Sequence, residues 1–115
     1  MKLAIIVREE TMMRCTGGGC LNAFFQRIDS FARYTGQEDL TLVAFTHNGG
    51  DMEKKIAALI KKKVDVVHLS SCMRGMDDNY KNWAEKLSEH FAVVGYTHGE
   101  EQREGKETVI LEKQQ

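Results

Sequence analysis

Residues Lys2–Val7 read KLAIIV, and this hexapeptide decides the fold. A short run that is apolar at nearly every position, not at alternate ones, is the mark of a strand buried on both faces. Three later runs share that character: Leu40–Phe45 (LTLVAF), Val64–Leu69 (VDVVHL) and Ala92–Tyr96 (AVVGY). Between them the apolar spacing changes. Leu21, Phe24, Phe25, Ile28, Phe31 and Ala32 recur at helical intervals, which predicts a helix from about Cys20 to Tyr34 with Gly36 as its stop. Asp51 caps a second helix with the apolar face Met52, Ile56, Leu59 and Ile60. Asp77 or Asp78 starts a third, carrying Tyr80, Trp83, Ala84 and Leu87. Gly99–Lys106 reads as an exposed loop, and Thr108–Leu111 as a short edge strand.

Strands that alternate with helices imply a parallel sheet joined by right-handed crossovers. The expected fold is α/β: a three-layer, flavodoxin-like sandwich of four or five mostly parallel strands, ordered 2-1-3-4 with any fifth strand last. Residues 1–115 read as a single domain, without an internal repeat or a linker.

That arrangement predicts where a site lies. Cys15 and Cys20 follow the first strand-like run, His47 the second, Cys72 the third and His98 the fourth. In a parallel sheet all of them gather at the carboxyl edge, where open α/β folds place their ligands.

Composition narrows the partners. Hydrophobic content of 42% and charged content of 29% are those of a globular chain. A net charge of −1 supplies no field for nucleic acid or membrane, and Lys61-Lys62-Lys63 suits the solvated end of a helix. No apolar stretch approaches the ~20 residues of a membrane span. Met1–Val7 is too short for a signal peptide and runs into charge at Arg8-Glu9-Glu10, so a cytoplasmic location is expected. Three cysteines, an odd number, fit a reducing compartment better than a disulfide framework.

The chemistry concentrates in four segments. In Arg14-Cys15-Thr16-Gly17-Gly18-Gly19-Cys20, the glycines allow a tight turn that presents N–H groups inward. Cys20 falls at a helix N-terminus, where the dipole favours thiolate, so it is expected to be the most acidic thiol. His47 reads equally as a ligand or as a loop residue. Asp51 reads better as a helix cap than as a ligand. His68 alternates with core positions and reads as a buried histidine bonded to backbone, with a supporting role behind a ligand as the alternative. Cys72 leaves the third strand in the position of a site residue. His98 mirrors it after the fourth strand and is the preferred nitrogen ligand. His90 closes a helix and needs no site role.

The segments Arg14-Cys15 through Gly19-Cys20, the Phe45–Gly50 turn and His68-Leu69-Ser70-Ser71-Cys72 together resemble the CGGC domain family. The likeness runs from the first strand to His98. It implies a small prokaryotic metal-binding domain, zinc the expected ion, with Cys15, Cys20, His68, Cys72 and, more loosely, His98 as matching positions. The central Cys-Gly-Gly-Cys of that family is not retained: Asn48 and Asp51 stand in place of its cysteines around Gly49-Gly50. Such a site has fewer soft donors and holds zinc more weakly. Restoring both cysteines is expected to tighten it, provided the new sulfurs face the cluster.

Three functions compete. The first is a metal-binding module in which Cys15, Cys20, Cys72 and His98 hold Zn²⁺, with His47 as the substitute ligand. The second is thiol chemistry. Cys15 to Cys20 has the strand–loop–helix placement of the phosphate loop in low-molecular-weight protein tyrosine phosphatases, but Leu21 stands where those enzymes need an Arg. A redox role for Cys15, Cys20 and Cys72 fits the residues better. The third is a small-ligand module with a degenerate metal site. The partner is then a metal ion or a small ligand, and no residue pattern assigns a catalytic role or an oligomeric state.

Overall fold

The computed structural model describes residues 1–114 of the chain. Strand β1 (Lys2–Val7) lies inside a five-stranded sheet of order β2-β1-β3-β4-β5. Its companions are β2 (Thr41–His47), β3 (Val66–Leu69), β4 (Ala92–Val94) and β5 (Ile110–Leu111). The first four are parallel, and β5 runs antiparallel along β4. This is the flavodoxin-like order that the sequence predicts.

The helices are α1 (Gly18–Gln26), α2 (Met52–Lys61), α3 (Ser71–Met76) and α4 (Tyr80–Ser88). They divide over the two faces, which explains why KLAIIV is apolar throughout. Ala4 and Ile6 pack with Ile56 and Leu59 of α2 and Ala84 and Leu87 of α4. Leu3, Ile5 and Val7 point the other way, onto Ala23, Phe24, Phe31 and Tyr34. Each fully buried Leu or Ile of β1 contributes roughly 1.5–3 kcal/mol. Among the described residues no helix is long and apolar enough to cross a membrane.

Three departures from the expected elements bear on the site. The helix expected from about Cys20 to Tyr34 is broken after Gln26: Arg27 and Asp29 adopt left-handed backbone, and a 3₁₀ segment, Asp29–Tyr34, follows. The break closes by hydrogen bonds from Arg27 N–H to Ala23 and Phe24 carbonyls and from Ile28 N–H to Ala23, a Schellman-like end without glycine. Its guanidinium stacks 4.6 Å over Phe24 and donates to the Phe24 carbonyl, which holds the bend. Secondly, α3 fills a stretch to which the sequence assigns no element, because Ser70 accepts from the Met73 N–H and starts a turn there. Thirdly, β4 ends at Val94, where the Tyr80 hydroxyl donates to the Gly95 carbonyl at 2.6 Å.

Candidate functional site

The loop after β1 makes a 3₁₀ turn, Thr11–Met13, and the Cys15 N–H donates to the Thr11 carbonyl at 2.9 Å. The chain then reverses at Gly17, which only glycine suits on two counts. Its φ is +80°, and a Cβ there would stand 2.7 Å from the Phe45 ring. The turn lets the Gly17 N–H donate to the Cys15 sulfur at 3.3 Å and the Gly18 N–H donate to the Thr16 hydroxyl at 3.2 Å. Helix α1 starts immediately and carries Cys20 in its first turn.

Cys20 is buried, and its sulfur lies 3.1 Å from the Thr97 hydroxyl. Burial pushes the thiol above its ordinary range against the pull of that hydroxyl, and negative charge on Cys72 and Cys15 pushes it further. This corrects the expectation of an acidic Cys20. The helix dipole acts on the first turn, but desolvation of a buried thiolate outweighs it. Cys72 stands in the first turn of α3, partly buried, with its sulfur 2.8 Å from the Ser70 hydroxyl.

Two loops are then tied together by one serine. The Ser71 hydroxyl donates to the His98 carbonyl at 2.6 Å and accepts from the N–H groups of Thr97 and His98, both at 3.2 Å. The loop after β3 and the loop after β4 are thereby held side by side. The His98 ring lies over Gly19 so closely that a Cβ there would meet it at 3.2 Å.

A cavity of about 600 Å³ opens between these loops, and Cys15, Cys20, Cys72 and His98 all line it. Val7, Met12 and Met76 give it apolar walls, while Arg74, Arg103 and Lys106 bring positive charge. The sequence reading missed these three cations and Thr97. Arg74 belongs to the unforeseen helix α3, and the others arrive from loops whose path no local pattern fixes. Only the serine run before Cys72, a helix-capping signal, pointed toward Arg74.

His47 lies elsewhere. It ends β2, exposed, accepting from the Gly49 N–H at 3.0 Å and lying 3.7 Å from the Glu9 carboxylate, and it does not line the cavity. His68 is fully buried under the sheet edge. Its Nδ1–H faces the Tyr96 carbonyl at 3.1 Å and the Ser30 hydroxyl at 3.2 Å, while the Tyr34 hydroxyl donates to Nε2 at 2.8 Å. The Phe31 ring stacks on it at 4.2 Å. Burial lowers its pKa to about 3, so it is a neutral structural group.

The positions that correspond to the missing central cysteines have other work. Asn48 accepts from the Glu9 N–H at 2.9 Å and donates to Asp77 at 2.6 Å, clasping the ends of β1 and α3. Asp51 caps α2 by accepting from the Lys54 N–H at 3.1 Å. Asn48 lines a neighbouring cavity with Glu9 and Asp77, not the cysteine-lined one.

Three thiols and an imidazole have the donor chemistry of a tetrahedral zinc centre. Their spacing as it stands does not match that chemistry. Among the described residues no group of three His, Cys, Asp or Glu side chains is disposed to hold an ion. Each thiol is turned instead to a partner within the protein: the Gly17 N–H, the Thr97 hydroxyl or the Ser70 hydroxyl.

No curated protein and no solved structure matches the chain. The family model described as CGGC domain matches residues 2–98, a span that runs from the first residue of β1 to His98 on the cavity wall. With most of its length in that match, and every cysteine inside it, the chain belongs to the CGGC domain family.

Proposed function

We propose that the protein binds a thiophilic metal ion, zinc by the nature of its donors, in the cysteine-lined cavity. Cys15, Cys20 and Cys72 supply thiolates and His98 a neutral imidazole. One observation carries the reading: these side chains come from three separate stretches of the chain, each following a parallel strand, and line one cavity. Membership of the CGGC domain family supports it. His47 is left out of the set because it does not line that cavity.

Binding has a cost that can be named. Each thiol must turn from its present partner, and Cys20 must lose its proton against burial. Affinity is therefore lower than at a preformed site and rises with pH as that proton becomes easier to remove. Zinc competition against a chromogenic chelator, on reduced and metal-stripped protein, tests this. The expected result is one equivalent bound, lost in Cys72→Ser and kept in His47→Ala. Failure to compete at any pH up to the thiol range, or binding indifferent to both Cys20→Ser and Cys72→Ser, defeats the reading.

The cavity size favours a second reading. About 600 Å³ is the scale of a small-molecule pocket, more than a lone ion fills. In this reading the thiols touch an organic ligand, or cycle through a disulfide, without a metal.

A further inference from the structure

We infer that the cavity takes a small oxyanion, a carboxylate or a tetrahedral phosphate or sulfate group, on the guanidinium of Arg74. The inference rests on the reading that this cavity is the ligand site, and it holds whether or not a metal is bound there.

Arg74 is only 6% exposed, yet it takes part in none of the ion pairs among the described residues. A buried guanidinium normally sits against a carboxylate, because desolvating a charge without a counter-charge is unfavourable. Here Nη1 donates to the carbonyls of Glu100 and Glu101, at 2.9 and 3.2 Å, and to the Thr108 hydroxyl at 2.8 Å. Those bonds hold the loop after β4, and the Tyr96 ring, 5.3 Å from the guanidinium carbon, adds a cation–π contact, but neither supplies a full counter-charge. Nε and Nη2 make no hydrogen bond to any described residue. Since no fully enclosed side-chain nitrogen among the described residues lacks a partner, neither is sealed from solvent. A planar guanidinium with a free N–H edge is the group that grips an oxyanion in two-point fashion.

Arg74 borders two cavities. One, about 570 Å³, sets Asp77, Asp78 and Glu107 against Arg74, Lys81 and Lys106, so its charges balance and give an anion no net pull. The other is the cysteine-lined cavity, where Arg103 and Lys106 join Arg74 against the lone carboxylate Glu104, three positive charges to one negative. The field therefore favours an anion beside the thiols. Lys106 is steadied there by donating to the Gly75 carbonyl at 2.9 Å. The sequence reading found no cation in the cysteine loop itself; the fold brings cations to the thiols from α3 and from the segment between β4 and β5.

The test uses reduced, EDTA-treated protein and compares alkylation of Cys72 by anionic iodoacetate and by neutral iodoacetamide. Relative to the same ratio in unfolded protein, the folded chain should favour iodoacetate roughly tenfold, the lower end of what a single-sign cleft does for an anionic reactant. Lys106→Gln, which leaves every Arg74 bond in place, should reduce that preference severalfold, and Arg74→Gln should abolish it. Millimolar phosphate, sulfate or acetate should slow both reagents. Protection by phosphate and sulfate alone identifies a tetrahedral dianion; protection by acetate alone identifies a carboxylate. No preference for iodoacetate over the unfolded chain overturns the inference, as does a preference unchanged in a folded Arg74→Gln protein or protection by none of the anions. Because no metal is present, failure here leaves the zinc reading standing, and failure of zinc to bind leaves this one standing.

Discussion

The Cys20 sulfur lies 3.1 Å from the Thr97 hydroxyl, a residue 77 positions later in the chain. That contact ties the start of α1 to the loop after β4, and it fixes Cys20 as the buried member of the cysteine set. Burial raises its pKa while Cys15 is exposed and Cys72 partly so. Peptide-resolved mass spectrometry of iodoacetamide alkylation near neutral pH should therefore find Cys20 modified last, by about tenfold or more. Thr97→Val removes a group that favours thiolate and should slow Cys20 further. Cys20 reacting first would contradict this placement.

Tyr34 and Ser30 reach His68 only because the chain breaks at Arg27. The imidazole they enclose has its pKa lowered from 6.5 to about 3 by burial. The folded state thus binds this proton less readily than the unfolded state. The resulting stability is fully present above about pH 6.5 and is lost as pH falls toward 3, at most roughly 5 kcal/mol across that window. Denaturant unfolding as a function of pH should show that decline. His68→Leu leaves the Tyr34 hydroxyl without its partner and should cost about 2–3 kcal/mol near neutral pH. It should also flatten the slope between pH 6.5 and 4.5. An unchanged slope in the variant would assign the pH dependence to other groups.

Gly17→Ala should destabilise the protein by roughly 1–3 kcal/mol, from the left-handed backbone and from overpacking against Phe45. The strain falls on the turn that holds Cys15, so Cys15 alkylation should change more than Cys20 alkylation. Gly36→Ala, at positive φ but with no atom within 4 Å of the added methyl, is the control. It should cost only the backbone component. Equal losses at the two sites would show that the Phe45 contact is unimportant.

Asn48 is committed to Glu9 and Asp77, and Asp51 to the start of α2. Replacing both by cysteine should cost roughly 1–3 kcal/mol in unfolding free energy. It should leave zinc affinity at the cysteine-lined cavity unchanged, since Asn48 lines a different one. Chelator competition on the double variant decides: tighter zinc binding that still requires Cys72 would show that the new sulfurs reach the cluster.

Long-range order was more legible in the sequence than local boundaries. KLAIIV and its three companions fix a parallel sheet, because a run apolar on both faces has few other homes. Sheet order then follows from short crossovers, and it carries Cys15, Cys20, Cys72 and His98 to one cavity from positions spread over the chain. What periodicity does not encode is the bend at Arg27, made by a non-glycine residue in left-handed backbone and held by Phe24. The acidity of Cys20 was misjudged because helix position is visible in sequence while burial by a distant loop is not. The sequence places His47 after its strand like the other candidates, but it is the last residue of β2, an outer strand of the sheet, where Glu9 and Gly49 engage it. No periodic pattern in the sequence marks Arg74, since a six-residue helix gives too few turns to show one.

The central claim, that three thiols and an imidazole act on one ligand, is tested most directly by titrating cobalt(II) into reduced, metal-stripped protein. Thiolate-to-cobalt charge-transfer absorption reports sulfur coordination, and the ligand-field bands report tetrahedral geometry. The account predicts both signals saturating at one equivalent, growing as pH rises, weakened in Cys15→Ser and His98→Ala and lost in Cys72→Ser. Absence of charge-transfer absorption at every pH, or a signal that survives Cys20→Ser and Cys72→Ser together, would contradict it.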